Sequence, residues 1–228
     1  GLFVIVNTPG WQFWNDAPEF AQRVYSDIRN LVRRDRNHAC VWLWEPILNE
    51  TWYPDDFAKK TRELVDQEYP YPYCYSGCDS GARGKEYFPV LFTHPSFDGK
   101  AWGDPNADPK ITYFTREWGD NVDDWSSHNS PSRAARNWGE QPMRVQAQHY
   151  ACPYYPVTSY DVLYKQSPQH VGGCLWHSFD HQRGYHPDPF YGGLMDVFRQ
   201  PKYSYYMFMA QRPAVKNDRN AGSGPMVY

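Results

Sequence analysis

The chain predicts an α/β fold built on a parallel sheet, and three observations predict it. Short runs that are apolar at every position recur along its 228 residues, as strands buried on both faces require. Helical stripes fall between most of these runs, and strands alternating with helices make a parallel sheet. Polar side chains gather just past the ends of several runs: Asn7, Asn49, Glu50, His94, Glu117, His177 and Asp180. An eight-stranded (β/α)8 TIM barrel and an open doubly wound sheet both satisfy the pattern. No Gly-rich phosphate loop follows the first run, which counts against a nucleotide-binding sheet. Polar groups at the carboxyl ends of strands are where a barrel carries its site.

Leu2-Phe3-Val4-Ile5-Val6 is a continuous apolar run and predicts a buried strand that Asn7-Thr8-Pro9-Gly10 ends. Asp16 with Glu19 three residues on forms a capping box, and Pro18 suits a first turn. Phe20, Val24, Ile28, Leu31 and Val32 give the helix that follows one apolar stripe. Cys40–Trp44 is the next strand. Tyr53-Pro54-Asp55-Asp56 opens a second helix with Phe57, Leu64 and Val65 inward. Tyr71–Ser76 is a shorter strand candidate, 77–87 a loop, and Phe88–Phe92 another strand. A Pro- and Gly-punctuated loop from Ser96 to Lys110 leads to the strand Ile111–Thr115. Ser130-Pro131 starts a helical stretch that restarts at Pro142, and Ser159 caps a further helix to about Gln166. Val171–Trp176 is the last strand, a long polar loop runs to Phe190, and Pro201 sits in the first turn of a final helix. Residues 1–212 are expected to form the domain and 213–228 an irregular tail.

The net charge of -3 gives no electrostatic case for nucleic acid or an anionic membrane. No stretch is long and apolar enough to span a bilayer as a helix. Aromatic residues make up 18% of the chain, with 10 Trp and 19 Tyr. A large core accounts for most of them, and some rings would suit the apolar faces of sugars. Of the five cysteines, Cys40 and Cys174 sit in apolar runs and read as small buried hydrophobes. A disulfide between Cys74 and Cys78 stays open from spacing alone. His177, Asp180, His181 and His186 form a polar run without a metal-ligand spacing.

Two strands end in carboxylates. Leu48-Asn49-Glu50-Thr51 follows the second run, and Arg116-Glu117-Trp118-Gly119 follows Ile111–Thr115. A carboxylate at the end of a buried strand is costly without a partner or a function. Two of them are what acid/base and nucleophile chemistry on a glycoside needs. The bland readings are a structural carboxylate paired with an arginine at Glu50, and pairing with Arg116 at Glu117. Glu45 is an alternative acid, five residues before Glu50 and facing the opposite side in a regular strand. His94 is either a sugar-hydroxyl donor or a loop histidine, and Trp118 either core or a sugar platform.

The stretches Arg36-Asn37-His38, Trp44-Glu45-Pro46 and Leu48-Asn49-Glu50 together resemble the acid/base motif of glycoside hydrolase family 2, the β-galactosidase and β-glucuronidase family. Thr115-Arg116-Glu117-Trp118-Gly119 resembles its nucleophile strand, and Gly172-Gly173-x-x-Trp176-x-x-x-Asp180 its eighth strand. Gly193-Leu194-Met195-Asp196 and Arg199-Gln200-Pro201-Lys202 are similar to its closing segment. The four motifs occur in the family's order over most of residues 1–205.

The resemblance implies a TIM barrel of which this chain supplies about strands 3 to 8. It implies a retaining exo-β-glycosidase, a β-galactosidase first. The alternatives are another β-glycosidase of the family, such as a mannosidase or an agar or porphyran oligosaccharide hydrolase, or a catalytically dead carbohydrate-binding domain. Glu50 would be acid/base, with its carboxyl held protonated near neutral pH by apolar neighbours or by the charge of Glu117, which would be the nucleophile. Asn49 would contact the sugar 2-hydroxyl, and Trp176, His94, Trp118 and Asp180 would line the substrate site. No cofactor is required; some galactosidases of the family use magnesium or sodium, and no ligand cluster here demands either. The partner is an oligosaccharide, with the family's first two strands and β-sandwich domains expected upstream or on a second chain. The chain departs from the family in having Trp118 where many members have Tyr. It also lacks the Asn-x-Lys pair with which its glucuronidases read a carboxylate.

Overall fold

The computed structural model describes residues 2–93, 108–118, 139–151, 169–175, 178–182 and 189–210. The first run forms β1 (Val4–Asn7), parallel to β2 (Val41–Glu45). β1 is not the buried strand the run predicts. Leu2 and Phe3 are exposed and Val4 is 38% exposed. Its one ladder partner among the described residues is β2, which covers one edge and neither face.

Helix α1 (Pro18–Asp35) buries Val24, Ile28 and Val32 at the predicted spacing. Its cap differs. Pro18 occupies the first turn, so Ala17 takes the N-cap position and Asp16 falls one residue too early for the box. Asn15 Oδ1 accepts the Ala17 N–H at 2.8 Å, and Asp16 accepts Trp14 Nε1 at 3.0 Å. Helix α2 (Asp55–Glu68) turns Phe57, Leu64 and Val65 inward as its pattern predicts. Phe57 meets Trp14 and Tyr53 at 5.0 Å and Tyr25 at 5.6 Å, an aromatic cluster that locks α1, α2 and the segment between β2 and α2 together.

Strand β3 is Gly77–Asp79, inside the stretch predicted as loop, while Tyr71, Tyr73 and Tyr75 before it are exposed. Pro70 and Pro72 explain the shift, because a residue without an N–H cannot serve an interior ladder. Strand β3 runs parallel to β4 (Val90–Phe92), and β4 parallel to β5 (Thr112–Trp118). A parallel bridge from Trp44 to Ser76 joins β2 to the start of β3. From β1 to β5 each strand therefore neighbours the next in sequence, without the reversal of order that marks a doubly wound sheet.

The loop after β3 is pinned to α2. Gly84 has φ +70°, and a Cβ there would collide with the Ala58 side chain. Gly84→Ala is expected to lower stability by about 1–3 kcal/mol, read as a drop in thermal midpoint.

By contacts the chain divides into two compact units. The first is Gly1–Thr93 with Pro105–Phe114, and the second is His94–Asp104 with Thr115–Tyr228. The core of the first lies between its strands and α1 and α2. In the second, β6 (His170–Leu175) lies beside β5. Helix α3 (Glu140–Ala151) packs on α4 (Tyr203–Ala210) through Ala147, Tyr150 and Met207. The stretch predicted as a polar loop contains a short antiparallel pair, β7 (His181–Gln182) and β8 (Pro189–Phe190). Pro201 sits ahead of α4, bridged to Met195, rather than in its first turn. The predicted helices at 130–138 and 159–166 and the tail lie outside the described residues, although α3 contains the predicted restart at Pro142.

The cysteines close one open question and correct one expectation. Cys74 and Cys78 are both free thiols, and Cys40 and Cys174 are exposed rather than buried. Burial pushes the Cys74 thiol up to about 11, and the Cys78 thiol still higher. Brief alkylation of the native protein is expected to modify Cys40 and to spare Cys78 until the fold is opened, as peptide mass mapping would show.

Candidate active site

The first unit holds Asn49 and Glu50 just past the end of β2. Their setting is built from the loop after β1. Gly10, at φ +136°, lets that loop close over Leu48, whose side chain would strike any Cβ there. Trp11 then bridges Asn49 in parallel, and the Gln12 N–H donates to the Asn49 carbonyl at 3.1 Å. Glu50 has φ +48° and Gln12 φ +55°, a region that non-glycine residues enter at a cost and that clusters at working sites. Glu50 is exposed, and one carboxylate oxygen accepts two hydrogen bonds, from Trp11 Nε1 at 2.8 Å and Gln12 Nε2 at 2.7 Å. Those donors fix the direction of the side chain. Trp11 and Gln12 were not singled out in the sequence. The signal was there in two hydrogen-bond donors placed right after a Pro-Gly turn at a strand's carboxyl end.

Glu45 has a different setting. It is 2% exposed and shares its face of β2 with Leu43, which packs with Val90, Phe92 and Phe114, opposite the Trp44 face that packs with Ile28 and Val32 of α1. Its backbone carbonyl takes both the N–H and the hydroxyl of Thr8.

The second unit holds Glu117, which lies inside β5 because the strand runs three residues beyond its predicted end. Alternation along a strand puts Glu117 and Thr115 on one face and Arg116 on the other. Glu117 is half-buried, with its side chain 21% exposed, and Arg116 Nε approaches its carboxylate at 3.5 Å. Thr115 is fully buried and its hydroxyl shares a 2.7 Å hydrogen bond with His170 Nε2 from β6. That contact ties the Glu117 face of β5 to its neighbour.

Asp180, the residue expected at the sugar, is held in a buried ion pair. It is 3% exposed, its carboxylate meets Lys202 Nζ at 2.7 Å, and it accepts the Gly193 N–H at 3.0 Å. Burial pushes its carboxyl up to about 6 although Lys202 pulls the other way. Around this pair Gln146 donates to the carbonyls of Tyr191 and Gly193 and accepts from Ser204, and Tyr150 donates to Gly192 at 2.8 Å. The network is a buried polar clamp holding residues 191–204 against α3. Trp176 and His94 lie outside the described residues, as does the side chain of Trp118. Among the described residues no three His, Cys, Asp or Glu side chains group as a metal site, and no helix is long and apolar enough to cross a membrane.

The arrangement so far defines a parallel α/β protein with acidic side chains at strand ends. No family model matches the chain. It is similar to the β-galactosidase of Thermoanaerobacter pseudethanolicus, 23% identical over 218 residues, which is 92% of this chain and 26% of that enzyme. A β-galactosidase of Thermoanaerobacterium thermosulfurigenes is likewise 23% identical, over 92% of the chain. The chain thus spans about a quarter of the length of the curated relatives it matches. Among solved structures, a β-glucuronidase from glycoside hydrolase family 2 superposes with a TM-score of 0.60 at 18% identity, covering 92% of this chain and 22% of the other. A family 2 β-galacturonidase from Eisenbergiella tayi, bound to galacturonate, gives 0.59 at 17% identity over 90% of this chain and 39% of its own. The superpositions show that most of the chain shares its fold with these family 2 enzymes.

Proposed function

We propose that this chain is the larger part of the catalytic barrel of a retaining β-glycosidase, and that its substrate is a terminal β-galactoside. The observation that carries the reading is Glu50, a left-handed residue in the segment that follows β2, whose carboxylate is aimed by Trp11 and Gln12. The β-galactosidase relatives and the neighbour order of β1 to β5 support it.

In the first step a Glu117 oxygen attacks the anomeric carbon while the glycosidic C–O bond breaks. Glu50 gives its proton to the departing oxygen, leaving a glycosyl ester on Glu117. In the second step Glu50, now a carboxylate, takes a proton from water. The water oxygen bonds to the anomeric carbon, and the ester bond returns its electrons to Glu117. Asn49 donates to the sugar 2-hydroxyl, a bond that strengthens as the oxocarbenium character grows. Arg116 holds a positive charge beside Glu117.

Nitrophenyl glycosides of galactose, glucuronate, galacturonate and mannose, assayed on the full-length protein, test the substrate. Turnover of the galactoside at least tenfold above the others is expected. Preference for a uronide would overturn the galactoside assignment, and no turnover of any would overturn the glycosidase reading. Gln12→Ala is expected to lower kcat about tenfold with KM little changed, since it frees the acid/base side chain without touching the sugar.

A further inference from the structure

Two residues past Glu50, Trp52 stands 74% exposed in the segment that leads into α2. Its ring is not loose. The Arg83 guanidinium carbon lies 4.2 Å from the ring centroid, a cation–π geometry. Arg83 is itself held. Its Nη1 donates to the Tyr53 carbonyl at 3.3 Å and its Nε faces Asp55 at 3.8 Å. In return the hydroxyl of Tyr53, a residue only 1% exposed, donates to the Arg83 carbonyl at 3.2 Å. Gly84 next door is packed against Ala58. A buried tyrosine and a pinned loop thus present one indole with one face backed by a cation and the other open.

We propose that Trp52 is the platform for the leaving group of the substrate, the sugar or aryl ring released in the first step, with Arg83 as its positioning residue. This rests on Glu50 being the acid/base. A group that protonates the glycosidic oxygen touches both halves of the substrate. An exo-acting enzyme encloses the terminal sugar and leaves the departing half at the mouth. A ring three-quarters exposed cannot enclose a terminal sugar, so it serves the departing half. The open indole face suits the CH face of a pyranose or an aryl ring. Arg83 behind it fixes the ring plane, so little side-chain freedom is lost on binding.

The test uses the full-length protein, two β-galactosides with the same terminal sugar (a disaccharide and a nitrophenyl glycoside), and free galactose as a competitive inhibitor. Trp52→Ala is expected to lower kcat/KM about tenfold for both substrates, through KM, while the inhibition constant for galactose stays within twofold. Trp52→Phe is expected to recover most of the loss. Arg83→Met is expected to reproduce about half of it, with the same split between KM and galactose inhibition. An unchanged kcat/KM overturns the proposal, and so does an equal loss in galactose inhibition, which would mean that the ring serves the terminal sugar or the fold. A wild type that cleaves neither substrate would instead remove the glycosidase reading, and this proposal with it.

Discussion

Glu117→Gln is expected to lower kcat on a nitrophenyl β-galactoside by a factor on the order of 10⁴ or more, because losing a covalent nucleophile removes the pathway rather than one interaction in it. Glu50→Ala is expected to lose about 10²–10⁴, the usual range for one acid/base group. The two losses should differ in kind. A nitrophenolate leaves without help, so Glu50→Ala should still form the glycosyl-enzyme and stall at its hydrolysis. A pre-steady-state burst of nitrophenol would report that stall, and none should appear with Glu117→Gln. Azide, a nucleophile needing no base, should restore turnover in Glu50→Ala and yield the β-glycosyl azide. An α-azide from that variant, or full activity in Glu117→Gln, would sink the retaining mechanism. Retention requires the two carboxyl groups to come within about 5.5 Å, whereas inversion leaves roughly 6.5–9.5 Å for a water between them.

The fold was legible where a pattern had only one physical solution. The stripe Val24, Ile28, Val32 can be buried only as a helix face, and it is. Phe57, Leu64 and Val65 behave the same way. Patterns that depend on what lies alongside were less legible. Leu2 and Phe3 read as core from composition, yet burial needs a neighbour and the run does not encode one. The Tyr-rich segment before β3 has high strand propensity, and two prolines overrule it. At the site, carboxylates at strand ends could be found by position alone, whereas Trp11 and Gln12 become partners of Glu50 only when the Gly10 turn folds back on Leu48. Asp180 adds a contact that position alone does not show. Its place in a motif suggested the sugar, Lys202 lies 22 residues on, and only the tertiary fold makes it the partner.

That pair carries the largest expected effect on stability. Lys202 is fully buried and donates to Asp180 and to the Tyr191 carbonyl, at 2.7 and 2.8 Å. Lys202→Met keeps the volume and the apolar stem but leaves a buried carboxylate without its cation. Removing one partner of a buried ion pair costs about 3–5 kcal/mol, which in a domain of this size lowers the thermal midpoint by roughly 6–20 °C. The loss should depend on pH in a definite direction. The Asp180 carboxyl in the fold titrates at about 6, above its ordinary value of 3.8. A carboxyl raised by folding favours the fold at low pH and loses that contribution as pH climbs toward the folded value. Without Lys202 the folded value rises further, so the window of loss extends above pH 6. The gap between wild type and Lys202→Met should therefore be widest near pH 8 and narrow toward pH 5, where Asp180 takes up a proton and needs no cation. Asp180→Asn in the Lys202→Met background supplies the neutral group directly while keeping an acceptor for the Gly193 N–H. It should recover much of the loss at pH 8 and little at pH 5. A gap of the same size at both pH values would mean that Lys202 stabilises the segment through its stem and its bond to Tyr191 rather than through its charge.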